Sequence, residues 1–166
     1  MPSVVAQIEQ LLDLIGERAD DLGVDAERLA VWSGSAGVPF GFVASIGRPS
    51  VRCQVAFYGP MDLRLDASRT APGVPEAALV EFSPITQLEE RPQNIQPTLI
   101  VKAGLDRPGI NDSIDAFIAR AEALGAPVHL LVHDQGRHAF DVRDEGDRSC
   151  ELIGASLDFM ASHLIS

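Results

Sequence analysis

Ser35, Asp106 and His138 are of the types that, brought together, turn a hydroxyl into a nucleophile. A serine hydroxyl attacks poorly at neutral pH without an adjacent base, and imidazole titrates near that pH. The imidazolium that forms needs a carboxylate to orient it and balance its charge. Each of the three follows an apolar, strand-like run: Ser35 after Leu29 to Trp32, Asp106 after Thr98 to Ala103, His138 after Val128 to Val132. Functional groups of open α/β sheets gather where strands end at their carboxyl edge. The gaps between the three leave room for one or two βα units each.

Around Ser35 the apolar run stops abruptly at Ser33-Gly34-Ser35-Ala36-Gly37. A strand that turns sharply into a helix with one serine at its apex needs small neighbours, because the turn is tight and its backbone strained. The usual pattern is G-x-S-x-G; here it is S-x-S-x-G, with Ser33 as the mildest replacement for the first glycine. The backbone N–H of Ala36, opening the following helix, is expected to face the oxygen that becomes negative in the transition state.

Blander readings accompany each residue. A small-residue turn after a strand is common in α/β proteins, and an Asp after a strand is often a helix N-cap. Asp112 is a rival carboxylate, since Asn111-Asp112-Ser113 could cap a helix beginning near Ile114. A His in a Gly-flanked loop is often simply solvated. His133 and His138 are five apart in a loop, not four apart on a helix, which disfavours a metal pair. His129, within the last strand, reads as structural, and His163, near the end of the sequence, as exposed. Asp62 and Asp66 read as loop carboxylates and Trp32 as core. There is no dinucleotide fingerprint, and no P-loop lysine follows the turn. No cofactor or metal is implied.

The elements that must position these groups alternate. Val4 to Leu22 has apolar residues at helical spacing and is stopped by Gly23. A helix over about Ala36 to Ser45 follows the turn, then a strand over Val51 to Tyr58 and a Gly59-Pro60 break. Met61 to Arg91 is the least regular stretch, with a short helix over Pro75 to Val80 and a turn at Ser83-Pro84-Ile85. It is also where the acyl-pocket residues are expected. Ile114 to Leu124 is a helix stopped by Gly125, and Ser149 to Leu164 a closing one. Strands apolar on both faces and alternating with helices predict an α/β fold: a parallel sheet of about four strands with helices on both faces.

The chain has 166 residues, the size of a single domain spanning 1–166. Its formal net charge of −11 argues against nucleic acid or anionic membrane as partners, which call for clustered Lys and Arg. Two cysteines are too few for a disulfide framework, and Cys53, in an apolar run, is expected to be a buried thiol. No segment reads as a signal peptide and no apolar run approaches a membrane span. These features predict a reduced, cytoplasmic setting.

The segments Leu29-Ala-Val-Trp-Ser-Gly-Ser-Ala-Gly37, Phe57-Tyr-Gly-Pro-Met-Asp62, Ser83-Pro-Ile85, Pro97-Thr-Leu-Ile-Val-Lys-Ala-Gly-Leu-Asp106 and Gly136-Arg-His-Ala-Phe-Asp141 together resemble the α/β-hydrolase superfamily. The resemblance is to the branch of dienelactone hydrolases and small carboxylesterases, in which the order is also Ser, Asp, His. It implies Ser35 as nucleophile, His138 as base and Asp106 as its acid partner. Dienelactone hydrolases proper use cysteine as the nucleophile, so the serine points to a general esterase-like member. It also implies the C-terminal half of the fold: typical members open with further strands and a loop that donates a second oxyanion N–H. The function so implied is a serine hydrolase of small carboxylic esters. A weak or inactive hydrolase-fold binding or assembly module is the alternative, and a fragment that works beside a neighbouring chain a third. With the earlier strands missing, the elbow strand becomes an open edge, expected to be covered by a second copy or a separate N-terminal segment.

Overall fold

The computed structural model describes residues 1–65 and 73–165. Four strands, β1 (Leu29–Gly34), β2 (Val51–Phe57), β3 (Thr98–Ala103) and β4 (Val128–His133), form one parallel sheet in the order β1-β2-β3-β4. Each strand pairs with the next one in the chain, and parallel neighbours need a crossover between them. The helices in those crossovers and after the last strand cover both faces, as the alternation predicts.

The period of two along each strand divides the core into two layers. On one face Ala56 of β2 and Ile100 of β3 meet α3 (Val38–Ser45), α5 (Pro84–Glu90) and α6 (Pro108–Leu124) through Val38, Phe42, Leu88, Ile114 and Phe117. Phe42 and Phe117 meet edge to face at 5.7 Å, a favoured aromatic geometry. On the other face Val55, Phe57, Leu99 and Val101 pack under Phe140 of α7 (Phe140–Arg143) and Leu152 of α8 (Asp147–Leu164). A third, smaller cluster lies outside the first layer. There Val5 and Ile8 of α1 (Pro2–Glu17) rest on Ala44 of α3 and on Phe82 beyond α4 (Glu76–Glu81). Among the described residues, no helix is long and apolar enough to cross a membrane.

Several boundaries differ from expectation for local reasons. The first helix is not continuous to Leu22: it breaks at Arg18 (φ −115°, ψ 21°), and a single turn, α2 (Ala19–Leu22), ends on Gly23 in the left-handed region. The helix after β3 begins at Pro108, six residues before Ile114, because proline is pre-set for the first helical position and gives up no needed N–H there. Asp112 therefore lies inside α6 and caps nothing. Ser83-Pro84-Ile85 is likewise the start of α5, again with proline in its first turn.

Other differences follow from the sheet having edges. Trp32 is not core: it lies on β1, which among the described residues pairs with β2 alone, and remains 37% exposed, tilted against Phe57 at 4.9 Å. His129 on edge strand β4 is exposed, its ring 6.1 Å from that of Phe159. His163 is half-buried, its Nδ1 2.8 Å from the Phe159 carbonyl oxygen. Cys53 is buried as expected, and burial pushes its thiol up to about 11. Asp66 lies outside the described residues.

The first glycine of the elbow pattern is replaced by Ser33, and the structure accommodates the extra atoms at Gly41 of α3. A Cβ at Gly41 would stand 3.2 Å from both Cβ and Oγ of Ser33. The missing side chain on the helix thus makes room for the added one on the strand. Alanine in a helix interior is otherwise favoured over glycine by about 1 kcal/mol. Overpacking of this kind costs about 1–3 kcal/mol. In urea unfolding, Gly41→Ala is therefore expected to be less favourable in the native background than in a Ser33→Gly background, by about 1–3 kcal/mol. Equal effects in both backgrounds would show that the two positions do not compensate.

Candidate active site

Ser35 leaves β1 with φ 53°, a left-handed conformation rare for any residue but glycine. One 3₁₀ turn, Ser35–Gly37, leads into α3, with proline at its start. Such strain persists only where the surroundings over-determine it. The constraint comes from the turn after β2. A Cβ at Gly59 would lie 2.3 Å from Cβ of Val38 and 2.7 Å from the carbonyl oxygen of Ser35, so only glycine fits against the elbow. Gly37, by contrast, has nothing among the described residues within 4 Å of where a Cβ would stand. The tightness expected at the elbow's own flanks is real, but it is located at Gly59 and Gly41.

Asp106 sits in a turn after β3 that is fastened to the loop after β4. The Gly104 N–H donates to the His133 carbonyl at 2.9 Å and the Leu105 N–H to that of Gly136 at 2.8 Å. A Cβ at Gly104 would meet the Asp134 carbonyl oxygen at 2.5 Å, and one at Gly136 the His133 ring at 2.6 Å. Gly104 thus lets the carboxylate turn lie against the histidine loop, and Gly136 lets that loop fold back over the His133 ring. The Asp106 side chain is 1% exposed; its Oδ1 accepts from the Arg107 N–H at 2.7 Å.

These constraints bring the three residues together. Nδ1 of His138 lies 2.6 Å from Oδ2 of Asp106, and Nε2 lies 2.7 Å from Oγ of Ser35. Because a carboxylate only accepts, the Nδ1 proton belongs to the bond with Asp106. Nε2 then offers its lone pair to the serine hydroxyl. The imidazole is about one-third exposed. Ala36 is exposed beside Ser35, at the head of the 3₁₀ turn.

A cavity of about 210 Å³ adjoins Ser35 and Ala36, walled by Pro39, Phe40, Leu63 and Ile110, with Asp62 and Arg107 as its charged members. Of the stretch expected to form an acyl pocket, Met61 to Arg91, Asp62 and Leu63 line it; the other walls come from α3, α6 and their neighbours. Asp62 is buried and ion-paired with Arg64 at 2.7 Å, more than a solvated loop carboxylate. Burial pushes its carboxyl up, but the bonds from Arg64 outweigh this and hold it below the usual range. A larger, shallower groove of about 440 Å³ lies around Arg48, Pro49 and Gln96 and contains none of the three residues.

His133 is the last residue of β4 rather than part of a loop, buried with its Nε2 3.1 Å from Oγ of Ser149. Among the described residues no group of three or more His, Cys, Asp or Glu could hold a metal. Tyr58, which the sequence reading takes as a strand end and as part of the Phe57–Asp62 segment but gives no role, meets His138 in an edge-type ring contact with centroids 4.9 Å apart. Nothing in its residue type signals that place.

No family model matches this chain, and no curated protein matches it. Solved structures do. Carboxyl esterase 2 of the mycorrhizal fungus Tuber melanosporum superposes with a TM-score of 0.72 at 21% identity, over 93% of this chain and 60% of its own. A fungal esterase from Rhizomucor miehei gives 0.81 at 18% identity, over 97% and 59%. A thermophilic carboxylesterase cloned from a metagenomic library gives 0.70 at 22%, over 96% and 63%. The chain thus shares the α/β fold of these carboxylesterases over about three fifths of their length.

The role of Gly59 is directly testable. Gly59→Ala is expected to lower the unfolding free energy by about 3 kcal/mol, the upper end of overpacking effects. Gly37→Ala, with open space before it, should stay within about 0.5 kcal/mol of the parent. Urea midpoints of the two variants measured side by side decide the matter.

Proposed function

We propose that this protein is a serine hydrolase acting on small carboxylic esters, with Ser35 as nucleophile, His138 as general base and acid, and Asp106 as the carboxylate that orients His138. The observation that carries the reading is the unbroken hydrogen-bond chain from Ser35 through His138 to Asp106, at 2.7 and 2.6 Å. Its members come from three strand ends, and its first member sits on a strained turn. The esterase neighbours lend support through their fold. The serine also favours an esterase-like member over a dienelactone hydrolase proper.

In this reading Ser35 Oγ attacks the acyl carbon as its proton passes to Nε2 of His138. The carbonyl oxygen becomes an oxyanion beside the Ala36 N–H. His138 then gives the proton to the departing alkoxide, which leaves as the alcohol. The acyl group stays on Ser35. Water, deprotonated by the same Nε2, attacks the acyl carbon, and collapse of the second tetrahedral state returns the proton to Ser35 and releases the acid. Asp106 balances the imidazolium in both halves. The small cavity beside Ser35 suits a short acyl group, and no metal or cofactor takes part in any step. The Ala36 N–H supplies one oxyanion donor; loss of a donor of this kind weakens transition-state stabilisation by about 3 kcal/mol.

A fluorophosphonate probe is expected to label the native protein but not Ser35→Ala. Asp106→Asn is expected to lower p-nitrophenyl acetate turnover by about 10⁴-fold, because the wrong tautomer faces the serine. Absence of both labelling and turnover in the native protein would overturn the reading and favour a hydrolase-fold binding or assembly module.

We further propose that the open side of β1 is covered by a second copy of the chain. β1 hydrogen-bonds to β2 alone in the described sheet and carries exposed Trp32, and an uncovered apolar edge invites pairing. Sedimentation velocity at high micromolar concentration should reveal a dimer. A monomer there would reject self-pairing.

A further inference from the structure

Tyr58 has three properties that a plain core tyrosine does not combine. Its backbone has φ 37°, rare for a bulky side chain. Its hydroxyl donates to Oδ1 of Asp141, on the segment that carries His138. The edge of its ring lies against the His138 imidazole, the planes inclined at 61°. It is also fastened at its base, where its N–H donates to the Val101 carbonyl at 2.8 Å. On its far side the hydroxyl reaches to within 3.6 Å of where a Cβ of Gly34 would stand. The next residue is Gly59, which lies against the Ser35 carbonyl. One dipeptide therefore lies against both residues of the Ser35–His138 hydrogen bond, the serine at its backbone and the histidine at its ring.

We propose that Tyr58 is a positioning residue: through its bond to Asp141 and its contact with the imidazole, it holds His138 where Nε2 meets Ser35 and Nδ1 meets Asp106. The inference rests on the hydrolase reading for its kinetic consequence but not for its geometry. His138 lies in a loop preceded by Gly136 and followed by Ala139 at φ 63°. Asp106 restrains one nitrogen of the ring; the tyrosine restrains its face and ties the downstream segment to β2. Burial and the Asp141 carboxylate both push the Tyr58 phenol above its ordinary value, so it remains a donor throughout the range in which His138 works. Strain at Tyr58 is then what places the aromatic ring at the site, as observed backbone outliers at functional positions often do.

The test uses Tyr58→Phe, which deletes only the hydroxyl, with Asp141→Ala deleting its acceptor and Asp141→Asn keeping one. Tyr58→Phe and Asp141→Ala are each expected to lower kcat for p-nitrophenyl acetate by about ten- to a hundredfold, the range that misplacement of a catalytic group produces. KM should stay within about twofold. The double variant should be no worse than either single one, because both remove the same bond, and Asp141→Asn should retain most of the activity. In parallel, the Nδ1 proton of His138 is followed by NMR in protein labelled with ¹⁵N in its histidine rings. Its resonance should shift and broaden in Tyr58→Phe and Asp141→Ala and stay in place in Asp141→Asn. An unchanged resonance in both disrupting variants would overturn the proposal. So would effects that multiply in the double variant, or a rise in KM with kcat intact, which marks a pocket wall instead. If native protein neither labels nor turns over, the hydrolase reading fails on its own, and the histidine resonance still decides the role of Tyr58.

Discussion

The contact between Gly59 and the peptide of Ser35 is the constraint on which the site depends. A left-handed serine after a strand is unstable by itself; it is held because the turn after β2 presses a bare Cα against the Ser35 carbonyl and the Val38 side chain. Both neighbours of that bare Cα, the Ser35 peptide and Val38 at the first position of α3, belong to the elbow. On the other half of the sheet Gly104 lets the turn after β3 lie against the Asp134 peptide, and Gly136 lets the loop after β4 fold back on the His133 ring. Three absent side chains, rather than any large favourable contact, define the geometry.

The charged members of the site are handled differently from the apolar ones. Asp106 is sealed from solvent and has both oxygens engaged, one by a backbone N–H and one by the imidazole. A buried carboxylate is tolerated only when it is so satisfied. The His138 side chain is left about one-third exposed. Beside it, Phe57, Tyr58 and Phe140 pack against one another with ring centroids 5.7–5.8 Å apart.

Much of this was readable in the residues, for identifiable reasons. β3 is an almost unbroken apolar run that announces a strand covered on both faces, and Gly23 and Gly125 end their helices in the left-handed conformation that favours them. The order and spacing of Ser35, Asp106 and His138 at strand ends marked them before any coordinates. What escaped detection depended on non-local geometry. Trp32 looks like core until β1 is known to be an edge. Asp112 looks like a cap until Pro108 is seen to start its helix earlier. Tyr58 adopts a backbone conformation that no residue type but glycine advertises, so its place beside His138 had no local signature. The exchange of atoms between Ser33 and Gly41 likewise becomes visible only when strand and helix are set side by side.

The sheet is laid down in the order in which its strands occur in the chain, β1 to β4, each docking on its predecessor. The elbow and its supporting turn belong to the first two strands, whereas the imidazole lies 103 residues downstream of the serine. Strand pairing in this sheet joins sequence neighbours, but the Ser35–His138 bond closes only when the segment after β4 is seated. In the proposed function, opening of that segment alone would return position 35 to an ordinary alcohol while leaving the sheet paired.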